Sequence, residues 1–161
     1  AIVAVQHPER VKRLVLDGLP YWNREQGQVI WERWFLPMFT DTTSYHLPVT
    51  PMMTWEEFQA KNPDSDREFW EKCEAIKRRS RLWMRLSQEG STGYDVAAAT
   101  LKVKRPTLLV YGDGDMLRRG EEQAKAGIKG SIHTVVDDSP GPVHMYQPDE
   151  FAKLSIEFFE R

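Results

Sequence analysis

An unbroken run of strand-forming residues that ends in an acidic turn most constrains what this chain can fold into. Residues 107–111 read Thr-Leu-Leu-Val-Tyr, and Gly112 and Asp113 follow at once. The run lacks the alternation of a half-exposed strand, which is typical of a strand buried on both faces of a parallel sheet. In open α/β sheets ligands bind outside the carboxyl ends of the strands. Asp113 and Asp115 are therefore predicted to lie where chemistry takes place.

Two further strands are predicted, one on each side of this run in the sequence. Residues 11–16 form the first, which Asp17 and Gly18 end, and residues 131–136 form the last. Helices are predicted at 96–101, where Asp95 is the expected N-cap, at 120–126 and at 148–161. A length of 161 residues allows one domain with a substantial core. The alternation of helix and strand predicts the α/β class.

The middle of the chain, residues 19–94, has a different character. It holds all six tryptophans, and its charged helical segments are predicted at 26–39, 54–60 and 66–88. Thr54 and Glu57 have the spacing of a capping box. Residues 40–51 are predicted as a loop and residues 90–93, Gly-Ser-Thr-Gly, as a hinge. In the third helix an apolar stripe is predicted over Phe69, Cys73, Ile76, Ser80, Trp83 and Leu86. The middle is therefore predicted to be a separate, mostly helical sub-structure.

A histidine follows the last predicted strand. His144 lies in the loop that precedes the closing helix, and Asp113 and Asp115 follow the strand before it. A hydrolytic triad needs a nucleophile, a histidine that takes its proton and a carboxylate that orients the imidazole. Two of the three groups are thus present.

These blocks resemble the C-terminal half of an α/β-hydrolase. The resemblance rests on Pro-Thr-Leu-Leu-Val-Tyr-Gly-x-x-Asp from residue 106, on His-x-x-x-x-Pro-x-x-Phe from residue 144, and on His-Pro-Glu-Arg-Val-x-x-Leu-Val-Leu from residue 7. It implies a partial hydrolase core over residues 1–18 and 95–161, with about three parallel strands and with residues 1–6 as helix. It also implies that residues 19–94 are a helical cap or lid over an active site.

The resemblance also implies the roles of the site residues. His144 is expected to be the catalytic base and Asp115 the acid that orients it. Asp17 is the alternative acid, since some members of the family place the carboxylate after the earlier strand, and Asp113 offers the same electrostatics. The family usually has a small residue before the histidine, where this chain has Val143. A stiffer or differently aimed loop is therefore expected.

The nucleophile of such a triad is missing from the sequence. In this fold the nucleophile sits on Gly-x-Ser-x-Gly, and no segment has that pattern or its aspartate or cysteine equivalent. The sequence therefore predicts a hydrolase of hydrophobic, ester-like substrates that is truncated before its nucleophile and inactive alone. An aspartate nucleophile would instead predict an epoxide hydrolase or a haloalkane dehalogenase. A third reading is a non-catalytic fragment that self-associates as a homo-oligomer through the exposed edge of strand 11–16.

Composition and charge restrict the partners. A formal net charge of −2 gives no support for a nucleic-acid partner. The single Cys73 fits a reducing compartment such as the cytoplasm, and no apolar run is long enough to span a bilayer. His7, His46 and His133 lack a second ligand at metal spacing, so neither a metal nor a cofactor is expected. A hydrophobic small-molecule substrate is expected, in a pocket lined by Trp22, Trp34, Phe35 and Met38.

Overall fold

A computed structural model describes residues 1–37 and 54–161. These residues form two compact units, one comprising Ala1–Asn23 with Asp95–Arg161 and the other comprising Arg24–Tyr94. The predicted division into a partial core over residues 1–18 and 95–161 and a helical cap over residues 19–94 stays a prediction. Met38, His46 and the predicted loop 40–51 lie outside the described residues, as does the end of the predicted helix 26–39.

The first unit contains a three-stranded parallel sheet in the order β1–β2–β3. The strands are β1 (Leu14–Asp17), β2 (Thr107–Gly112) and β3 (Ile132–Val136). All six residues of β2 are buried, as expected for the central strand of a sheet covered on both faces. The predicted α/β class with three parallel strands is confirmed. Strand β1 begins three residues later than predicted.

Helices cover both faces of this sheet. Side chains alternate along β2, so its residues pack on both faces. Leu108 and Val110 pack with Phe158 and with partly buried residues of β1 and β3 in one cluster. Leu109 and Tyr111 face the other way and are fully buried, and the Tyr111 hydroxyl donates a hydrogen bond to the Leu19 carbonyl at 3.2 Å. The helices of this unit are α1 (Ile2–Gln6), α5 (Val96–Thr100), α6 (Glu121–Gly127), α7 (Val143–Tyr146) and α8 (Pro148–Phe159), with 3₁₀ turns at Pro8–Arg10 and Met116–Gly120.

In its described part the second unit contains helices and connecting turns but no strand. It consists of α2 (Arg24–Ile30), which continues as a π-helix over Trp31–Phe35, then α3 (Trp55–Lys61) and α4 (Arg67–Thr92). The capping box predicted for α3 is present: Glu57 N–H donates to the Thr54 hydroxyl at 3.2 Å, and Thr54 N–H donates to the Glu57 carboxylate at 2.9 Å. None of the described helices has the length and apolarity needed to cross a membrane.

Two predictions for α4 were wrong. The helix runs through the predicted hinge to Thr92, because the Ser91 and Thr92 hydroxyls both donate to the Gln88 carbonyl and continue the helical turn. The predicted apolar stripe is not a buried face, since Ile76, Trp83 and Leu86 are all more than half exposed.

Candidate active site

The candidate site lies at the carboxyl end of the sheet and begins with Asp17, the last residue of β1. Its side chain is only 7% exposed. Gly18 follows with a φ of +59°, a left-handed conformation that a residue with a Cβ adopts at a cost. Gly18 therefore turns the chain sharply away from the sheet while the Asp17 carboxylate stays at the strand end.

His144 reaches the same place from the opposite side of the sheet. Strand β3 ends at Val136, and the chain returns across the end of β2 before α7 begins at Val143. Val143 is fully buried in the cluster that contains Leu108, Val110 and Phe158. The residue that departs from the family pattern thus anchors the start of α7 in the core. This anchoring fixes the position from which His144 extends.

Several hydrogen bonds join Asp17 to His144 and its neighbour. Asp17 Oδ2 lies 2.6 Å from His144 Nδ1 and also accepts the His144 backbone N–H at 2.9 Å. Asp17 Oδ1 accepts the backbone N–H of Val143 at 3.0 Å. Both oxygens of one carboxylate therefore hold the first turn of α7 and its histidine ring. Bonds of this kind to an ionised acceptor are about twice as strong as neutral ones.

This geometry selects the tautomer of His144. A carboxylate only accepts hydrogen bonds, so the contact at 2.6 Å places a proton on Nδ1. In the neutral imidazole the other nitrogen, Nε2, is then an acceptor with a free lone pair. The His144 side chain is 53% exposed, and its ring meets the Phe151 ring at 5.9 Å in an edge contact. A held ring with an accessible basic nitrogen is what a general base requires.

Asp115, the acid that the sequence favoured, makes different contacts. Its Oδ1 accepts the backbone N–H of Leu117 at 2.8 Å and so caps the 3₁₀ turn that follows. Its Oδ2 is buried without a hydrogen-bond partner in the described part of the chain. The structure therefore brings His144 onto Asp17, the alternative acid, and not onto Asp115. Asp115 is held away from His144 because its Oδ1 accepts the backbone N–H of Leu117, only two residues along the chain.

Asp115 is nevertheless a close neighbour of the Asp17 turn. A Cβ built on Gly18 would lie 2.7 Å from Asp115 Oδ2, so the carboxylate packs directly on the glycine. Burial raises the pKa of Asp115, and the nearby charge of Asp17 adds to the rise. Asp115, the second carboxylate at the carboxyl end of the sheet, is thus buried where its neutral form is favoured.

A substitution of Asp115 tests this placement through the pH dependence of stability. Because the folded-state pKa is raised, the stability that the wild-type carboxyl contributes is fully present below the ordinary value of 3.8 and is lost as the pH rises through the folded pKa. Asp115→Asn keeps the cap but carries no charge. We expect its stability relative to wild type to rise between pH 3.5 and 7, measured by urea unfolding. A constant or falling difference would contradict the buried placement.

Asp113 connects the end of β2 to the loop that carries His144. Its Oδ1 accepts the backbone N–H of Ser139 at 2.9 Å and of Gly114 at 2.8 Å. Donation from Ser139, first among several backbone N–H groups, lowers the pKa of Asp113 from its ordinary value. The Ser139 hydroxyl in turn donates to the Gly141 carbonyl at 3.1 Å. Asp113 thus orders the loop and does not contact the histidine.

Two glycines of β2 and its turn allow this loop to approach. A Cβ on Gly112 would lie 2.5 Å from the Gly141 carbonyl oxygen and closer still to that of Ser139. A Cβ on Gly114 would lie 2.9 Å from the Pro140 α-carbon. The sequence analysis concerned the two acids of this turn, Asp113 and Asp115. The structure shows that the glycines beside them, Gly112 and Gly114, leave room for the loop that carries His144.

The remaining predicted residues fall outside this pair. Trp22 is half-buried and belongs to the first unit, whereas Trp34, 65% exposed, and Phe35 belong to the second. Their role in a substrate pocket stays a prediction. His133 Nε2 lies 2.8 Å from Glu121 Oε1, and Arg118 holds the other oxygen of the same carboxylate at 2.6 Å. No sequence pattern indicated this cluster of Arg118, Glu121 and His133. Within residues 1–37 and 54–161, no group of three or more metal-ligating side chains occurs.

Comparison with solved structures identifies the fold. MenH from S. aureus superposes with a TM-score of 0.65 at 14% identity, over 98% of this chain and 62% of the other. The enol-lactonase from Burkholderia xenovorans LB400 gives 0.62 at 14% identity, over 99% and 60%. A thioesterase domain from the curacin biosynthetic pathway gives 0.56 at 19% identity, over 99% and 62%. No family model and no curated protein matches the sequence.

These likenesses concern the fold. The chain has the fold of the C-terminal portion of an α/β-hydrolase, as the sequence predicted. It spans about three fifths of the length of the structures that it matches.

Proposed function

We propose that this chain, with the fold of the C-terminal portion of an α/β-hydrolase, supplies the acid–base half of a nucleophile-His-Asp triad for hydrolysis of an ester-like bond. The observation that carries the proposal is the contact of 2.6 Å between Asp17 Oδ2 and His144 Nδ1. The bonds from Asp17 to the Val143 and His144 backbone support it, because they fix the geometry before any substrate arrives. Asp17, not Asp115, is the orienting acid in this proposal.

The proposed reaction uses His144 Nε2 twice. It takes the proton from a nucleophilic hydroxyl as the oxygen attacks the substrate carbonyl, and it gives that proton to the departing alcohol or thiol. Water then attacks the acyl intermediate: Nε2 accepts a proton from the water and returns it to the departing oxygen of the nucleophile, which releases the acid product and restores the neutral imidazole. Throughout, the Asp17 carboxylate stabilises the imidazolium and keeps the ring oriented.

The substrate class is proposed as a hydrophobic acyl compound. An enol-lactonase and a thioesterase domain are among the matched structures, and both names denote cleavage of an acyl bond to oxygen or sulfur. The sequence has no Gly-x-Ser-x-Gly segment. We therefore propose that the nucleophile comes from outside these 161 residues and that the chain is inactive by itself. If that nucleophile is an aspartate, epoxide or carbon–halogen hydrolysis is the alternative reaction.

Hydrolysis of short and long chromogenic esters tests the proposal in two steps. The 161-residue chain is expected to show no turnover above its His144→Ala variant. A longer form from the same reading frame that carries a nucleophile elbow is expected to hydrolyse them. In that form Asp17→Asn should lower kcat by about 10³-fold or more, because the ring loses the tautomer that it needs. Asp115→Asn is the matched control and should stay within about ten-fold of wild type.

Two results would overturn the assignment. Turnover by the 161-residue chain that disappears in His144→Ala would mean that a nucleophile lies within these residues. Loss of activity in Asp115→Asn, with activity retained in Asp17→Asn, would make Asp115 the functional acid.

A further inference from the structure

The parallel sheet separates charge between its two ends. Because the three strands run the same way, the residues that precede them meet at one end and the residues that follow them meet at the other. The carboxyl end carries acids, namely Asp17, Asp113, Asp115, Asp137 and Asp138. The segments that lead into the strands carry cations and no acid, and these cations are Lys12, Arg13, Lys102, Lys104, Arg105 and Lys129. The formal net charge of −2 for the whole chain does not reveal this separation.

The cations beside β2 and β3 form one cluster because the helices that precede these strands touch each other. A Cβ on Gly127, the last residue of α6, would lie 2.7 Å from the hydroxyl oxygen of Thr100 at the end of α5. The chain enters β2 from α5 and β3 from α6, so the two entering segments lie side by side. We name the cations of α6 and of these segments the basic patch, which consists of Lys102, Lys104, Arg105, Lys125 and Lys129.

Buried neighbours fix the backbone that carries the basic patch. Val103 is 8% exposed and Ile128 is 1% exposed, whereas all the lysines of the patch are exposed and Arg105 is half-buried. The Val103 N–H donates to the Thr100 carbonyl at 3.1 Å, and the Ile128 N–H donates to the Ala124 carbonyl at 2.9 Å. Within residues 1–37 and 54–161, no cation of the patch forms an ion pair. The patch is therefore an ordered positive surface whose charge the described residues do not neutralise.

We propose that the basic patch binds the surface of an anionic lipid bilayer, with Leu101 inserted among the lipid headgroups. Leu101 is 70% exposed and directly precedes Lys102, so an apolar side chain lies within the patch. Cations attract the chain to an anionic bilayer, and an apolar side chain beside them gains free energy by entering the interfacial region. Binding of this kind is peripheral and requires no membrane-spanning helix.

The composition of the patch favours a bilayer over a nucleic acid. Apart from Arg105 its cations are lysines, which are point charges without the planar fork that lets arginine bind one phosphate through two hydrogen bonds. Residues 101–106 and 123–131 contain no aromatic side chain on which a base could stack. The exposed Leu101 fits a surface that presents apolar as well as anionic groups.

This inference goes beyond the proposed hydrolysis and does not depend on it. The basic patch and the Asp17–His144 pair lie at opposite ends of the sheet. A chain bound through the patch therefore keeps the pair directed away from the lipid. Each residue of the patch belongs to α6 or to a segment that leads into β2 or β3, and none belongs to β1.

Co-sedimentation of the 161-residue chain with lipid vesicles tests the proposal. Wild type is expected to bind vesicles of phosphatidylcholine with about 30% phosphatidylserine at about 0.1 M salt, but not vesicles of phosphatidylcholine alone. Binding should weaken at least about ten-fold at about 0.5 M salt, because salt screens exposed charges. These comparisons use wild type alone, so they do not depend on whether a variant folds.

Single substitutions locate the binding surface. Lys104→Glu and Lys129→Glu should each weaken binding at least about five-fold, because each cation near an anionic surface contributes about that factor in affinity. Leu101→Ser should weaken binding about three-fold or more, because it removes apolar area from the interface. The matched control is Arg119→Glu, which makes the same charge change at an exposed position in the 3₁₀ turn at the carboxyl end of the sheet. The control should stay within about two-fold of wild type.

Absence of binding to the anionic vesicles at the lower salt concentration would overturn the proposal. So would equal binding to the neutral vesicles, or an equal loss in Arg119→Glu and Lys104→Glu. Tighter binding to duplex DNA than to the vesicles, at the same concentration of negative charge, would also overturn it and would make a nucleic acid the partner.

Discussion

Gly112→Ala is expected to destabilise the protein by about 3 kcal/mol or more. The added Cβ would lie 2.5 Å from the Gly141 carbonyl oxygen and closer to that of Ser139. Both obstacles are backbone atoms, so no side-chain rotation relieves the clash. Either the end of β2 or the histidine loop must move. Because Asp113 ties the same loop through Ser139, a displacement would reach His144 through Val143.

Urea unfolding monitored by circular dichroism measures this effect, with Gly90→Ala as the matched control. A Cβ on Gly90 has no atom within 4 Å, and Gly90 lies in the helix α4. The control should therefore gain about 0.5–1 kcal/mol from the better helix propensity of alanine. If Gly112→Ala were as stable as wild type, the loop would not pack on β2 as described.

Asp17→Ala is expected to cost about 2–4 kcal/mol of folding stability. The substitution removes the acceptor for two backbone N–H groups, and one of these belongs to the fully buried Val143. A buried donor left without a partner costs about 1–3 kcal/mol by itself. The loss should therefore exceed that of an ordinary helix cap. Asp17→Asn should fall between alanine and wild type, because its amide keeps one acceptor oxygen.

Asp95→Ala provides the comparison for this prediction. Asp95 caps α5 by accepting the Ala98 N–H at 2.7 Å, and loss of such a cap typically costs about 1 kcal/mol. Hydrogen exchange should locate the two effects, with faster exchange at Val143 and His144 in one variant and at Ala98 in the other. Equal losses in the two variants would show that Asp17 does no more than an ordinary cap.

The central strand was predictable because its environment is simple. An apolar run covered on both faces does not alternate, so residues 107–111 indicated β2 to within one residue. Strand β1 begins later than predicted because residues 11–13 directly follow a 3₁₀ turn and lie outside the β1–β2 register. The short helix α7 was missed, since its start is fixed by contacts of Val143 and Asp17 that are distant in sequence.

The sequence alone could not predict which aspartate contacts His144. Asp17, Asp113 and Asp115 all follow strands, so each was a reasonable partner for His144. Their contacts separate them: Asp115 caps a turn two residues away, Asp113 ties a loop 26 residues away, and Asp17 reaches His144 across 127 residues. A local sequence pattern can indicate only the Asp115 contact, because the other two contacts join residues that are far apart in the sequence. The Asp115-x-Leu117 cap was the one signal that could have reduced the choice.

The protonation pattern of the His144 ring tests most directly whether Asp17 and His144 form the acid–base pair. It is read from long-range ¹H–¹⁵N correlation spectra at a pH where the ring is neutral. We expect the proton on Nδ1 in wild type and in Asp115→Asn, and a shift toward the Nε2 tautomer in Asp17→Asn, because Asp17 Oδ2 lies 2.6 Å from Nδ1. A proton on Nε2 in the wild-type protein, or a tautomer that responds to Asp115 and not to Asp17, would contradict the assignment of Asp17 and His144 as the acid–base pair.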